Sequence, residues 1–384
     1  MAAQGAALLA VLAWLYLVLL HGRFWRADQR LAAAPPPAQW PSVAAVVPAR
    51  NEADVIGEAI GSLLGEDYPG PFAIVLVDDG SDDGTAEVAR RAAALVSSRA
   101  FRVIQAPTPA PGWTGKLWAM RAGVGEAERL LPDCRYVLFT DADIAHGPGS
   151  LKALVAKAEA DGLDLVSLMA RLSCAGFWEA LLVPAFVFFF QKLYPFPRVN
   201  DSTSAVAAAA GGCMLVRRRA LERMGGLEHI RGALIDDCSL AREMKRHGPI
   251  WLGLSETTRS LRAYNGLGAI RVMVARTAFT QLRYSYALLL GTTLAMIVAY
   301  LGPPLAAIAG AARADGLLAG LGVLGWALMT LCYVPTLRLY RRPVGEALLL
   351  PAAAFFYVLF TLDSAWAHAR GAGGRWKGRS YAAP

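Results

Sequence analysis

Short apolar runs alternate with amphipathic stretches along the middle of the chain, from Val43 to about Leu261. The apolar runs are typical of short buried strands, and they read VAAVVP, FAIVLVDD, FRVIQA, RYVLFTDAD and LDLVSLMA. Between them lie alanine-rich stretches with a helical period, such as EADVIGEAIGSLLG and GTAEVARRAAALVSS. Strands and helices alternating at this spacing predict βαβ units, and therefore an α/β fold with a mainly parallel sheet.

Longer apolar runs lie on either side of this region. Residues Ala6 to Leu20, with Met1 to Gly5, are long enough to span a bilayer of about 30 Å. A signal peptide is the competing interpretation, but no lysine or arginine precedes the run and the positive charges follow it. Three more candidate spans follow near the C-terminus, at about Tyr286 to Gly310, Leu317 to Pro335 and Ala347 to Leu362.

The charges that flank these runs predict an orientation. Positive residues from Arg23 onward favour an N-terminus outside and a middle region in the cytoplasm. The basic link RLYRRPVGE is also expected in the cytoplasm. Four spans would then leave the basic tail ARGAGGRWKGRSY outside, so either the tail breaks the charge rule or one late segment does not cross.

The run ALLVPAFVFFF, from Ala180 to Phe190, is short for a span. We interpret it as an interfacial or re-entrant helix, with a buried core helix as the alternative. The predicted organisation is then an anchor at 1–22, a proline-rich linker at 23–42, an α/β domain at 43–265 with the interfacial helix near 178–194, a basic juxtamembrane segment at 266–285, a transmembrane region of about three helices at 286–367, and a basic tail at 368–384.

Composition supports the membrane interpretation. The chain is 55% hydrophobic and 18% charged, which is too apolar for an ordinary soluble enzyme. Its net charge of +8 could indicate nucleic acid or an anionic membrane surface. The basic residues cluster beside apolar runs, and no basic stripe is interleaved with aromatic residues, so the membrane is favoured and nucleic acid is not. The five cysteines are scattered without a CxxC, which predicts free thiols.

The first acidic cluster follows the second predicted strand, in VDDGSDDGT. Ligands of open α/β sheets bind beyond the carboxyl ends of the strands. Asp82 or Asp83 is expected to cap the helix that begins near Thr85. Asp78 and Asp79 come too early for capping, so we expect them to accept hydrogen bonds from a ligand rich in donors.

The second cluster is FTDADI, in which Asp141 and Asp143 follow a buried strand. Residues i and i+2 of an extended segment point the same way, and two carboxylates so placed attract a hard cation. Mg²⁺ or Mn²⁺ binds through one or two carboxylates together with substrate phosphates. A polar strand end without metal is the alternative.

The third cluster is IDDCSLAREMKRHG, where Asp236 and Asp237 precede a helical pattern. One interpretation is a helix start whose acidic residues favour the positive end of the dipole. The other is a general base close to the cation site.

Six segments together resemble the family 2 inverting glycosyltransferases, which have the GT-A fold: VVPARNEADVIGEAIGSLL, VDDGSDDGT, GKLWAM, FTDADI, AGGCMLVRRRALERMGGL and IDDCSLAREMKRHG. The resemblance covers about Val43 to Gly253. With the anchor and the C-terminal spans, the whole chain is similar to the hopene-associated glycosyltransferases of bacterial hopanoid clusters. This resemblance implies a multi-pass protein of the bacterial inner membrane, with its catalytic domain in the cytoplasm.

The resemblance also implies roles for individual residues. It places the following side chains against a nucleotide-sugar donor, with a UDP-sugar as the leading choice: Pro48, Arg50, Asn51, Glu52, Asp78, Asp79 and Lys116. It makes Asp143 the ligand of the divalent cation, and it brings Asp141 to the ribose or to metal-bound water. Asp237 matches the catalytic base, and Asp236 stands where the family usually has Glu.

Processive members of the family carry a Q-x-x-R-W motif. Here only TQLRYS is present, with Gln281, Arg283 and Tyr284; it is one residue shorter and has Tyr in place of Trp, which argues against processive polymerisation. Arg283 is expected to face the donor diphosphate or a lipid headgroup. The predicted acceptor is a membrane lipid, with a hopanoid as the leading choice.

Two other functional classes are alternatives to a glycosyltransferase. A nucleotidyltransferase of similar fold would need a glycine-rich phosphate loop, and VVPARNEADVIG contains neither G-x-G-x-x-G nor a Walker A motif. A non-catalytic sugar-nucleotide-binding membrane protein is disfavoured because Asp78, Asp143 and Asp237 are all intact.

Overall fold

The computed structural model describes residues 1–96, 99–371, 375–376 and 379–380, and it divides into two compact units. The α/β unit comprises Asp28–Ser173 and Arg198–Arg262. The helical unit comprises Met1–Ala27, Cys174–Pro197 and the chain from Ala263 onward. The predicted basic tail at 368–384 lies mostly outside the described residues.

The strands of the described chain are β1 Val43–Ala49, β2 Phe72–Asp78, β3 Ala100–Gln105, β4 Tyr136–Thr140, β5 Ile144–Ala145, β6 Leu165–Arg171, β7 Cys213–Arg217, β8 Ile250–Ser260, β9 Arg375–Trp376 and β10 Arg379–Ser380. Its α-helices are α1 Ala2–Leu19, α2 Ala53–Leu64, α3 Thr85–Ala94, α4 Gly115–Leu130, α5 Ser150–Ala160, α6 Phe177–Leu193, α7 Phe196–Val199, α8 Arg218–Arg223, α9 Asp236–His247, α10 Leu267–Ala275, α11 Ala278–Gln281, α12 Tyr286–Met296, α13 Gly302–Ala312, α14 Gly316–Leu339 and α15 Leu350–Ala369. Short 3-10 segments occupy Phe24–Arg26, Leu227–Ile230 and Val344–Leu349, and a π-helical turn occupies Ile297–Leu301.

One mixed sheet of eight strands organises the described part of the α/β unit, in the order β3-β2-β1-β4-β7-β6-β8-β5. Neighbours among β3, β2, β1 and β4 are parallel, as are β6 and β8. Strand β7 is antiparallel to both β4 and β6. The five strands predicted from sequence are all present, and the mainly parallel α/β fold is confirmed. Strands β5, β7 and β8 were not predicted.

The sheet topology brings several strand ends to one edge. Strands β1, β2 and β4 run in parallel, so their carboxyl ends meet there. Antiparallel β7 begins at the same edge, because Cys213 pairs with Thr140 at the end of β4. Strand β8 runs parallel to β6, which is itself antiparallel to β7, so β8 also ends at this edge.

Helix α4 packs tightly on the sheet because Gly123 has no side chain. A Cβ atom at this position would collide with Val46 and would lie 2.9 Å from Cγ2 of Val77. Close approach brings the first turn of α4, which carries Lys116, next to the carboxyl edge of the sheet. The glycine therefore helps to position a candidate site residue.

The proline-rich segment before β1 has almost no regular secondary structure. It is nevertheless fastened to the α/β unit. Arg30 forms a parallel bridge with Leu254, and the Trp40 ring packs edge-on against Tyr68, with 5.5 Å between the ring centroids. The segment is thus part of the α/β unit from Asp28 onward.

The helical unit contains four helices that are long and apolar enough to cross a membrane, counted over the described residues: Ala2–Leu19, Tyr286–Ala312, Gly316–Leu339 and Val344–Ala369. These correspond to the four apolar runs predicted from sequence. The unit has an aromatic core in which Trp14 contacts Tyr300 edge-on at 5.3 Å and donates a hydrogen bond to the carbonyl of Ala299.

Helix α6 contains the short apolar run singled out above. Phe188 is fully buried in the helical unit, where its ring lies 5.3 Å from both Phe24 and Tyr333. Phe177 and Leu193, at the two ends of the helix, are exposed. The inner face of α6 is therefore packed as a core helix is, and the interfacial placement of the helix stays a prediction.

Candidate active site

The carboxylate of Asp78 shapes the turn after β2. Its Oδ1 accepts a hydrogen bond from the backbone N–H of Ser81 at 2.9 Å, and its Oδ2 accepts one from the side-chain amide of Gln105 at 2.8 Å. Asp78 and Asp79 are both buried. Because both oxygens of Asp78 already have partners within the protein, its first role is to hold the loop that follows β2.

A second set of bonds joins this loop to the one after β1. Asn51 has a left-handed backbone (φ 52°), and its Oδ1 accepts from the N–H of Asp82 at 3.0 Å. Asp83 accepts from the N–H groups of Thr85 and Ala53, at 3.0 and 2.9 Å. Asp83, rather than Asp82, therefore accepts hydrogen bonds from N–H groups at the N-termini of both α2 and α3. The N-cap position of α3 itself is Gly84.

Two other residues predicted near the donor belong to the same edge. Pro48 is buried within β1, where it pairs with Val77. The guanidinium of Arg50 donates a hydrogen bond to the carbonyl of Asp79. Arg50 thus supports the loop after β2, whereas Pro48 is part of the strand itself.

Lys116 links the second and third acidic clusters. Helix α4 begins after Thr114, whose hydroxyl accepts from the N–H of Leu117, and Lys116 lies in the first turn. Its Nζ lies 2.9 Å from Oδ1 of Asp141 and 3.0 Å from Oδ2 of Asp236. Burial disfavours the ammonium ion, but the Asp141 and Asp236 carboxylates outweigh it and raise the pKa of Lys116. Lys116 therefore stays protonated and balances part of the negative charge.

Asp237 lies in the first turn of α9 and accepts two backbone hydrogen bonds. Its Oδ2 accepts from the N–H of Gly211 at 2.9 Å, and its Oδ1 accepts from its neighbour Cys238 at 2.7 Å. Burial, followed by the charge of Asp236, raises the pKa of Asp237 to about 6. A carboxylate of this pKa is ionised at neutral pH and can accept a proton.

Gly211 brings Lys116 and Asp237 to the same point. A Cβ atom on Gly211 would lie 3.2 Å from Nζ of Lys116 and 3.3 Å from Oδ2 of Asp237. Any side chain at position 211 would press on Lys116 and Asp237. The absence of a side chain on Gly211 therefore allows the loop before β7 to approach these two residues.

Asp141 and Asp143 lie directly after β4, as predicted. Oδ2 of Asp143 accepts from Nε of Arg262 at 2.9 Å and lies 3.4 Å from the hydroxyl of Ser260. Among the described residues, no group of three His, Cys, Asp or Glu side chains could hold a metal ion alone. Two carboxylates nevertheless fit the way Mg²⁺ and Mn²⁺ are held when substrate phosphates supply the other ligands.

The structure adds Arg262, which sequence reasoning missed. It follows β8, and its Nη2 lies 2.7 and 2.8 Å from the two carboxylate oxygens of Glu52. The same side chain reaches Asp143 through Nε. Strand β8 itself was not predicted, since its second half, SETTRS, is polar. A basic residue directly after a strand of the same sheet would have been the signal.

Arg283 lies in the helical unit, where its side chain is exposed and its backbone is left-handed (φ 53°). In the same segment, Oε1 of Gln281 accepts from the hydroxyl of Tyr194 at 3.0 Å, and Tyr284 stacks on His368 at 4.5 Å. The TQLRYS segment is therefore a structured turn within this unit. A role for Arg283 at the donor or at a lipid headgroup stays a prediction.

Comparison with known proteins decides the family. Residues 41–263 match the model of the family described as glycosyltransferase-like family 2. The chain belongs to this family. The match confirms the predicted family 2 glycosyltransferase, and the mainly parallel mixed sheet agrees with the predicted GT-A fold.

Individual relatives are more distant. An uncharacterized protein of Methanocaldococcus jannaschii is 32% identical over 120 residues, which are 31% of this chain and 43% of that protein. The chain thus matches less than half the length of this curated relative.

Among solved structures, the mannosyltransferase PcManGT from Pyrobaculum calidifontis, in complex with GDP-Man and Mn²⁺, matches with a TM-score of 0.59 and 21% identity. The match covers 94% of this family 2 chain and 99% of PcManGT, and it supports the fold. Glucosyl-3-phosphoglycerate synthase from Mycobacterium tuberculosis is a weaker match, with a TM-score of 0.39 and 17% identity over 68% of this chain and 83% of that one.

Proposed function

We propose that this protein transfers one sugar from a nucleotide-sugar donor to a hydroxyl of a membrane lipid, with inversion at the anomeric carbon. One observation carries the proposal: the Nζ of Lys116 lies within 3.0 Å of both Asp141 and Asp236. It connects the carboxylates expected beside the donor phosphates with the pair expected to contain the base. A donor and an acceptor could therefore meet around the partly buried ammonium of Lys116.

Asp143 and Asp141 are the proposed carboxylates for a divalent cation, Mg²⁺ or Mn²⁺. When bound, such a cation would stabilise the negative charge that develops on the departing nucleoside diphosphate. The structure of PcManGT, which shares the fold, is a complex with GDP-Man and Mn²⁺. The chain's own Lys116 would add a fixed positive charge at the same edge.

Asp237 is the proposed general base, with Asp236 as the next candidate. The Asp237 carboxylate takes the proton of the acceptor hydroxyl as that oxygen bonds to the anomeric carbon. The bond from this carbon to the diphosphate oxygen breaks, and the diphosphate leaves with the electron pair. The N–H groups of Gly211 and Cys238 hold the carboxylate in place. A single general base is sufficient for a single displacement, which needs no covalent intermediate.

The pKa of Asp237 predicts an acid limb in the activity. The base must be ionised, so we expect kcat/KM to fall about tenfold for each pH unit below about pH 6. Lys116 favours the ionised form, and replacing it in Lys116→Met should move this limb to higher pH. The pH profile of nucleoside diphosphate release measures both effects.

Lys152→Met is the matched control for this shift, because Lys152 forms an exposed pair with Asp67. Its acid limb should coincide with that of the wild type. If Lys116→Met lowers activity but leaves the acid limb at the same pH, Lys116 does not lower the pKa of the Asp237 base.

The lipid acceptor is supported by the four helices able to cross a membrane and by the aromatic, apolar α6 that interrupts the α/β sequence. The resemblance described above makes a hopanoid or similar polycyclic lipid the leading choice. The Phe188 side chain is a packed core group, so serine there would test folding rather than lipid contact.

A product analysis tests the acceptor. Purified full-length protein is incubated with a panel of nucleotide sugars and bacterial lipid extract, and the products are identified by mass spectrometry. We expect a lipid heavier by a single sugar, which is missing when Asp237→Asn replaces the wild type. Transfer to soluble acceptors alone would refute the lipid proposal, and a ladder of sugars would refute single addition.

A further inference from the structure

Arg262 forms two ion pairs, which together connect the proposed cation carboxylate Asp143 to Glu52 in the β1–α2 loop. Its Nε contacts Asp143 at 2.9 Å, while its Nη2 contacts both oxygens of Glu52 at 2.7 and 2.8 Å. These partners lie far apart in sequence and meet at the carboxyl edge of the sheet. The two contacts use different nitrogens, so one can break while the other remains.

The charge of this group is permanent. Although burial disfavours a cation, the carboxylates of Asp143 and Glu52 raise the pKa of Arg262 above its ordinary value. A guanidinium is protonated throughout the physiological range in any case. The charge of Asp143, which would hold the divalent cation, is therefore already balanced by the chain itself.

We propose that Arg262 is a positioning residue that occupies Asp143 as an internal cation, and that it yields this carboxylate when the divalent cation arrives with the donor diphosphate. Glu52 retains the guanidinium through Nη2 while the Nε contact to Asp143 opens. The inference rests on the proposed cation site, since it concerns competition for Asp143.

The competition predicts an order of binding. A divalent cation alone must displace a guanidinium that already balances Asp143, and the two positive groups then repel each other. A donor diphosphate brings negative charges that offset this repulsion. Cation binding should therefore be weak without a nucleotide and strong with one. Glu52 affects the strength of this competition, because the Arg262 guanidinium contacts both Glu52 and Asp143.

Titration of donor-free, full-length protein with Mn²⁺ alone, followed by calorimetry, tests this competition. We expect Arg262→Gln to bind Mn²⁺ at least about tenfold more tightly than wild type, because Asp143 loses its resident cation. Arg259→Gln is the matched control. Arg259 is the neighbouring arginine on β8 and pairs with Glu58, so its loss should change the affinity by no more than about twofold.

A second pair of variants keeps the test decisive if Arg262→Gln does not fold. Glu52→Gln leaves Arg262 with Asp143 alone, so Mn²⁺ should bind more weakly than to wild type. Glu58→Gln, which removes the corresponding partner of Arg259, should bind as wild type does. In the Arg262→Gln protein, where it folds, adding Glu52→Gln should have little further effect, because Glu52 acts through Arg262.

The outcomes separate this inference from the proposed function. If nucleoside diphosphate strengthens Mn²⁺ binding to wild type but Arg262→Gln leaves the donor-free affinity unchanged, Arg262 does not compete and only this inference is overturned. If Asp143→Ala leaves Mn²⁺ binding intact, the cation lies elsewhere. This result would refute both the role of Arg262 and the proposed cation site. Tighter binding in Arg262→Gln that disappears when Asp143→Ala is added supports both.

Discussion

Asp237→Asn is expected to lower turnover by about 10²–10⁴-fold, the usual contribution of a general base, while donor affinity changes little. An amide keeps the shape of the carboxylate but cannot take the acceptor proton. The side chain sits in the first turn of α9, and its position is set by the Gly211 and Cys238 N–H groups. Turnover and donor binding are measured on the same preparation, by diphosphate release and calorimetry.

Asp236→Asn is the matched control for this prediction. Asp236 is the adjacent residue and pairs with Lys116, so its loss should disturb the charge balance without removing the proton acceptor. A smaller decrease in turnover is therefore expected. If Asp237→Asn still transfers sugar within about tenfold of wild type, Asp237 is not the base, and Asp236 becomes the candidate.

Asp143→Ala is expected to abolish the dependence of donor binding on divalent cations. In wild type, UDP affinity should fall sharply on addition of EDTA, since the cation connects the carboxylate to the diphosphate. In the variant, UDP affinity should be low with and without EDTA. The variant also removes a partner of Arg262, so thermal unfolding must show that the protein remains folded.

Asp161→Ala supplies the comparison for this variant. Asp161 forms an exposed pair with Lys157 at the end of α5, and its loss should leave the EDTA effect as it is in wild type. Equal UDP affinity of the wild type in Mn²⁺ and in EDTA would remove the cation from the proposed mechanism. A GDP titration run in parallel shows whether the result depends on the nucleobase of the donor.

The local parts of the fold could be predicted from the sequence. Strands β1, β2, β4 and β6 are almost wholly apolar, and β3 is a shorter apolar stretch interrupted by Arg102, so each pattern depends only on neighbouring residues. The apolar helices of the helical unit were predictable for the same reason. The acidic residues after β2 and β4 were placed at one edge because parallel strands end together.

Strands β7 and β8 could not be predicted in this way. Strand β7 follows a run of alanines and two glycines, and β8 ends in polar residues, so neither shows a clean strand period. Their places in the sheet depend on pairing with β4 and β6, which are distant in the chain. Long-range pairing of this kind overrides local propensity.

The sequence by itself determined the family, the acidic clusters and the apolar helices, because each is recognised from short segments of neighbouring residues. Only the tertiary structure decided how the clusters are connected. The insertion of β7 beside β4 brings Gly211 to Lys116 and Asp237, and the end of β8 brings Arg262 to Asp143 and Glu52. Arg262 and Glu52 are separated by 210 positions, and no local pattern encodes a contact that sheet order creates.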